Sequence, residues 1–161
     1  MRLFVETLLP CGADQAWATV QTSELLHEVA SPLVTIRPLP GEQFPKYWQA
    51  GSRIHCRPLL FGLLPLFTRD LSFERIDPVK RKIQTRESDR LIARWDHAIR
   101  IRAISDDACW YSDEIEIEAG WLTSFVWLFA ALFYRHRQQR WQNVARRLAS
   151  AAWKDTVRVA N

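Results

Sequence analysis

Three side chains in this sequence combine chemical competence with a position that turns them inward: His97, Asp113 and Arg137. From Leu91 to Ala103 the residues Leu91, Ala93, Trp95, Ile99 and Ile101 form one apolar face of a strand, and alternation places His97 on it, with Arg94, Asp96, Arg100 and Arg102 opposite. From Cys109 to Ala119 the apolar set is Cys109, Tyr111, Ile115, Ile117 and Ala119, which brings Asp113 inside while Glu114, Glu116 and Glu118 face water. A turn at Ser105 to Asp107 joins the two strands. The resulting antiparallel register puts His97 opposite a residue near Glu114, so that Asp113 is its direct or diagonal neighbour. Arg137 lies in the middle of a helical stripe of Val126, Ala130, Phe133, Tyr134, Trp141, Val144 and Leu148, where a guanidinium is costly unless it meets an anion or water.

An imidazole oriented by a carboxylate can serve as general base or acid toward a polarised carbonyl, and a neighbouring guanidinium can stabilise the negative charge that develops. His97 and Asp113 are accordingly the candidate catalytic pair. The same three groups can instead hold the polar end of a bound molecule, or form a buried network whose role is to lock a helix to a sheet. Tyr111 and Tyr134 add hydroxyls to this group, and Trp95, Tyr111, Phe73 and Ile54 are the expected wall of the site. Arg69, a further candidate for the ligand site, shares parity with the inward set Phe67, Leu71 and Phe73, and Glu87, another candidate, with Ile83. No nucleophile completes a triad: Ser112 has the wrong parity, and Cys109 lies too far along its strand.

Several function classes drop out. The sequence has no phosphate-cradling glycine loop, no GxSxG and no HExxH, and His27, His55, His97 and His136 show no metal spacing, so neither a metal nor another cofactor is expected. Cys11, Cys56 and Cys109 are odd in number, widely spaced and free of any CxxC, which reads as reduced thiols in a cytoplasmic protein. The net charge of +4 is carried largely by the last helix and by Arg53, Arg57, Arg81 and Lys82; it permits contact with anionic surfaces. The mixed signs along the strands and the lack of an exposed aromatic platform argue against a nucleic-acid partner. Glu6 interrupts the apolar start MRLFVETLLP, which reads as a strand rather than a signal peptide, and Phe125 to Tyr134 is too short to cross a bilayer.

These side chains need elements to carry them. The chain of 161 residues, 48% apolar and 25% charged, has the size and composition of one globular domain; its eight Trp favour a broad core or an aromatic-lined interior. The periodicity predicts a strand over Arg2 to Leu9, a helix over Ala13 to Val20 and a second over Glu24 to Val29 capped by Thr22 or Ser23. Six strands follow: Val34 to Arg37, Ser52 to Leu59, Phe67 to Ile76, Arg81 to Glu87, Leu91 to Ala103 and Cys109 to Ala119. Phe44, Tyr47 and Trp48 sit in a Pro- and Gly-punctuated loop, expected as a flap over the core. From Leu122 to about Ala152 the chain has no Gly or Pro, and a helix there would be on the order of 45 Å long. The segment Leu59 to Phe67 is a turn made almost wholly of apolar residues; folding back over a cavity mouth is the default, a membrane or dimer contact the alternative.

The order strand, two short helices, six strands and one long helix resembles the helix-grip fold of the START-like (SRPBCC) superfamily over essentially the whole chain. The blocks WDH (Trp95 to His97), YSDEIEIEAG (Tyr111 to Gly120) and FYRHRQQRW (Phe133 to Trp141) are similar to a bacterial branch of it that has no assigned activity. The resemblance implies an α+β fold in which a curved antiparallel sheet of about seven strands grips the last helix. It also implies a cavity between them for a hydrophobic or amphipathic molecule, lipid-, quinone- or polyketide-like, and no universal catalytic motif. Three readings stay open: a binding protein, a cyclase- or lyase-type enzyme using His97 and Asp113, and a lipid-exchange or interaction module docking through Leu59 to Phe67. Oligomeric state is not encoded in any of these features.

Overall fold

The computed structural model describes residues 1–159, with side chains to residue 151. Its elements are β1 (Arg2–Leu9), α1 (Ala13–Val20), α2 (Ser23–Ala30), β2 (Val34–Pro38), β3 (Arg53–Leu60), β4 (Leu64–Pro65), β5 (Arg69–Asp77), β6 (Lys82–Ser88), β7 (Arg94–Ser105), β8 (Ala108–Glu118) and α3 (Thr123–Val159). The strands form one antiparallel sheet in the order β1-β8-β7-β6-β5-β3-β2, and the two-residue β4 pairs with β3. β1 and β2 are neighbours along the chain yet occupy opposite edges; the α1–α2 connection carries the chain between them. This is the helix-grip arrangement.

Local signals explain most boundaries. The Thr22 hydroxyl accepts from the Leu25 amide at 3.2 Å and starts α2, satisfying one of the open amides of its first turn. Before α3, Thr123 Oγ1 donates to the Gly120 carbonyl at 2.7 Å and accepts from the Ala119 amide at 2.9 Å, and Gly120, at φ +55°, turns the chain out of β8. Gly12 precedes α1 and lies against the β7–β8 turn so closely that a Cβ there would sit 2.5 Å from the Asp106 carbonyl oxygen.

Four expectations are corrected. β7 begins at Arg94, because the Asp89 carboxylate accepts the Leu91 and Ile92 amides, both at 2.8 Å, and holds that segment in a turn. Leu91 therefore points outward at 47% exposure, and Ile92 is buried in its place. β5 begins at Arg69, which leaves Phe67 exposed rather than inward. The short strand β4 interrupts the apolar turn, and α3 runs on to Val159, past Ala152.

The buried face of α3 is the expected one, and it divides the interior. Trp141, Val144 and Ala145 join a cluster with Leu9, Val29, Ile54, Phe73 and Tyr111. Ala130, Phe133 and Tyr134 join a second with Leu3, Trp95, Ile115 and Ile117. His97, Asp113 and Arg137 are buried as well. The α1 contact with the β7–β8 turn holds one end of this assembly, so Gly12→Ala is expected to lower stability by about 1–3 kcal/mol through overpacking against backbone. Urea unfolding checks this, and an unchanged midpoint would mean that the turn yields freely.

Candidate functional site

The β7–β8 register aligns His97 with Ile115 and Ile99 with Asp113, which makes His97 and Asp113 diagonal neighbours on the concave face. His97 Nε2 donates to Asp113 Oδ1 at 2.8 Å. The Tyr111 hydroxyl donates to the same oxygen at 2.9 Å, and Gln138 Nε2, from α3, donates to Oδ2 at 3.2 Å. Asp113 has 0% exposure, and burial by itself would raise its pKa. The hydrogen bond from His97, the charge of Arg137 and the Tyr111 hydroxyl outweigh burial and hold the carboxyl below its ordinary value, so it is an anion at neutral pH. Burial first, and then the adjacent Asp113 charge, push the Tyr111 phenol well up, keeping it a donor.

Arg137 is differently placed. Its guanidinium lies 5.0 Å from the centre of the Tyr134 ring and 5.9 Å from that of Phe133, a cation–π arrangement. Only 8% of the residue is exposed, yet its buried Nε has no hydrogen-bond partner and no carboxylate lies within ion-pair distance among the described residues. The Tyr134 hydroxyl accepts from Trp95 Nε1 at 3.3 Å, and its ring meets His97 edge-on at 5.0 Å. A second polar group lies nearby. Arg69 donates to Glu87 and to Asp89, each at 3.0 Å, and its guanidinium stacks 5.0 Å from the Trp95 ring centre.

Between the sheet, α2 and α3 lies a cavity of about 380 Å³. Trp95, His97, Tyr134, Arg137, Arg69, Glu87 and Phe73 line it. Asp113 does not: it sits behind His97, with Tyr111 and Gln138 around it. Ile54 and Tyr111, expected on the wall, are core residues, because their side chains pack in the Trp141 cluster beneath. The wall is otherwise almost entirely apolar. Leu66 and Phe125 line it while remaining exposed, which marks its mouth.

Sequence reasoning missed three contributors. Gln138 lies outside the apolar stripe, although its spacing from Tyr134 and Trp141 puts it on the same side of α3. Trp48, in the loop after β2, stacks on Phe73 with ring centres 4.5 Å apart and lines the cavity; the loop's aromatic content was the available signal. Thr85, opposite His97 across β6 and β7, presents a buried hydroxyl without a partner among the described residues. Among the described residues no cluster of His, Cys, Asp or Glu could hold a metal ion, and no helix is long and apolar enough to cross a membrane.

A curled antiparallel sheet closed on a long last helix, with a mainly apolar chamber between them, is the START-like helix-grip fold. Solved structures share it: a protein of Chromobacterium violaceum (TM-score 0.69, 11% identity, 89% of this chain and 96% of that one) and a START superfamily protein of Mycobacterium smegmatis (0.64, 11%, 91% and 98%). A third is the Zhui aromatase/cyclase of Streptomyces sp. R1128 (0.63, 11%, 91% and 94%). No curated protein matches the sequence significantly. The chain belongs to the family described as Domain of unknown function (DUF8410), whose model matches residues 7–145.

The Asp113 environment has a pH signature. A carboxyl held below its reference value of 3.8 adds stability that is fully present above that value and is lost as pH falls through the lower folded-state value. Asp113→Ala, which strands three donors and a buried cation, is expected to cost about 3–5 kcal/mol at neutral pH. Denaturant unfolding at a series of pH values should show that deficit shrinking as pH drops below the carboxylate range. A constant deficit would contradict the assignment of Asp113 as the ionised centre.

Proposed function

We propose that the protein binds a hydrophobic or amphipathic small molecule, lipid-, quinone- or polyketide-like, in the chamber between sheet and α3, with its polar end at Arg137, His97 and Tyr134. The single observation that carries this reading is Arg137: a buried guanidinium on the wall of a cavity, with no carboxylate at ion-pair distance and no acceptor for its Nε among the described residues. A permanent cation in that position is left to be satisfied by what enters the cavity, and an acceptor-bearing or anionic head group would do so. The volume of about 380 Å³ falls within the range of small-molecule sites, and the apolar wall suits a hydrocarbon or aromatic body. Arg69 takes no such role: Glu87 and Asp89 already engage it, and it stiffens the wall under Trp95. The three thiols are buried and unpaired, which supports a reducing, cytoplasmic setting.

The experiment is titration with a dansylated fatty acid and a neutral dansylated alcohol of equal chain length, for wild type and Arg137→Leu. The variant is expected to lose about 10- to 100-fold in affinity for the acid, the scale of a charge-assisted hydrogen bond, while the alcohol changes by less than about threefold. Equal losses for both probes would remove Arg137 from the head-group site. Native mass spectrometry of protein from its own source identifies the natural occupant.

A second reading, a cyclase- or lyase-type reaction, rests on the His97–Asp113 pair. The buried carboxylate orients the ring through Nε2, and an unprotonated Nδ1 would take a proton from carbon beside a carbonyl whose oxygen meets Arg137. Here His97→Gln is expected to abolish turnover with binding changed less than about tenfold. Turnover that survives while binding falls would refute the catalytic role.

A further inference from the structure

We infer that the cavity mouth is a docking surface for an anionic lipid bilayer, built from the β3–β4 turn and the outer face of the first turns of α3. The turn is held tight by Phe61 and Gly62 at φ +52° and +71°, and it projects Phe61, Leu63 and Leu64 into solvent, Leu63 at 85% exposure. It does not fold back over the mouth; only Leu60 and Leu66 of this segment line the cavity. Facing solvent on the other side are Trp121, at 84% exposure, Phe125, Leu128 and Leu132. Phe125, Leu128 and Leu132, three and four residues apart, form one stripe about 10 Å long on the side of α3 opposite its core face, and Trp121 stands in the 3-10 turn Gly120–Leu122 just before the helix. The two apolar surfaces meet at the cavity, since Leu66 and Phe125 both line it.

Charge selects the occupant. Residues 57–68 and 119–151 contain no Asp or Glu, whereas Arg57 is exposed beside the turn and Arg135 continues the exposed stripe one turn beyond Leu132. A second copy docking by a two-fold axis would bring these cations together with no acid in either stretch to offset them. An anionic bilayer offers hydrocarbon to the rings and leucines, an interface to Trp121 and negative head groups to the arginines. Docked in this way the mouth opens toward acyl chains, and an apolar molecule enters or leaves without crossing water. The surface stands independently of which molecule the cavity holds.

The test is co-sedimentation with phosphatidylcholine vesicles and with vesicles containing phosphatidylglycerol. Wild type is expected to pellet with the second kind and more weakly with the first, and raising salt is expected to weaken binding to the second kind toward the level of the first. Phe61→Ser with Leu63→Ser, and separately Leu128→Ser with Leu132→Ser, are each expected to lower partitioning at least about tenfold. Their unfolding midpoints should stay near that of wild type, since all four side chains are exposed. Arg135→Gln should reduce the preference for anionic vesicles, and Arg137→Leu should pellet like wild type, which separates this surface from the head-group site inside. Wild type remaining in the supernatant with both vesicles, or serine pairs binding as well as wild type, would overturn the inference. So would sedimentation velocity showing a dimer that the serine pairs dissociate while vesicles are ignored.

Discussion

A buried carboxylate with no route to water is the constraint around which this interior is arranged. Asp113 accepts hydrogen bonds from β7 through His97, from its own strand through Tyr111 and from α3 through Gln138, so one anion ties three elements at one depth. An ion in that environment is tolerated only when fully surrounded by donors and a compensating charge. Arg137 supplies the charge from the same helix turn as Gln138. The helix cannot slide or rotate against the sheet without stranding the carboxylate, and the chamber beside it keeps a fixed shape.

The two arginines of the chamber illustrate what satisfaction means here. Arg69 is engaged by two carboxylates and covered by Trp95, and it braces β5 against β6 and the turn that follows. Arg137 rests on aromatic faces and, among the described residues, has no anion within contact distance, although the field of Asp113 reaches it. Equal in charge and both largely buried, they differ in unused bonding capacity. That difference, rather than the apolar area of the wall, distinguishes a site for an acceptor-bearing molecule from a void.

Much of this was legible in residue order. Strand alternation placed His97 and Asp113 on one face, and the short β7–β8 turn fixed the register that makes them partners; helical periodicity placed Arg137 among Phe133, Tyr134 and Trp141. Local patterns gave way where a side chain intervened. Asp89 captures two backbone amides and shifts the inward position from Leu91 to Ile92, which alternation cannot foresee. Depth was equally hidden: parity says that Tyr111 and Ile54 point inward but not that other side chains stand between them and the chamber. Gln138 and Thr85 escaped because a neutral polar residue on an amphipathic element carries no signal of its own.

The sheet order has a consequence for biosynthesis. β1, the first strand of the fold, pairs with β8, so that Arg2 waits for Glu116, more than a hundred residues later in synthesis, before its ladder can form. Until then the nascent chain exposes an unpaired strand and the apolar sides of α1 and α2, which have neither sheet nor terminal helix to cover them. Closure is thus deferred until β8 and α3 have been made, and truncation within β8 would leave a product dependent on chaperones rather than a smaller working unit.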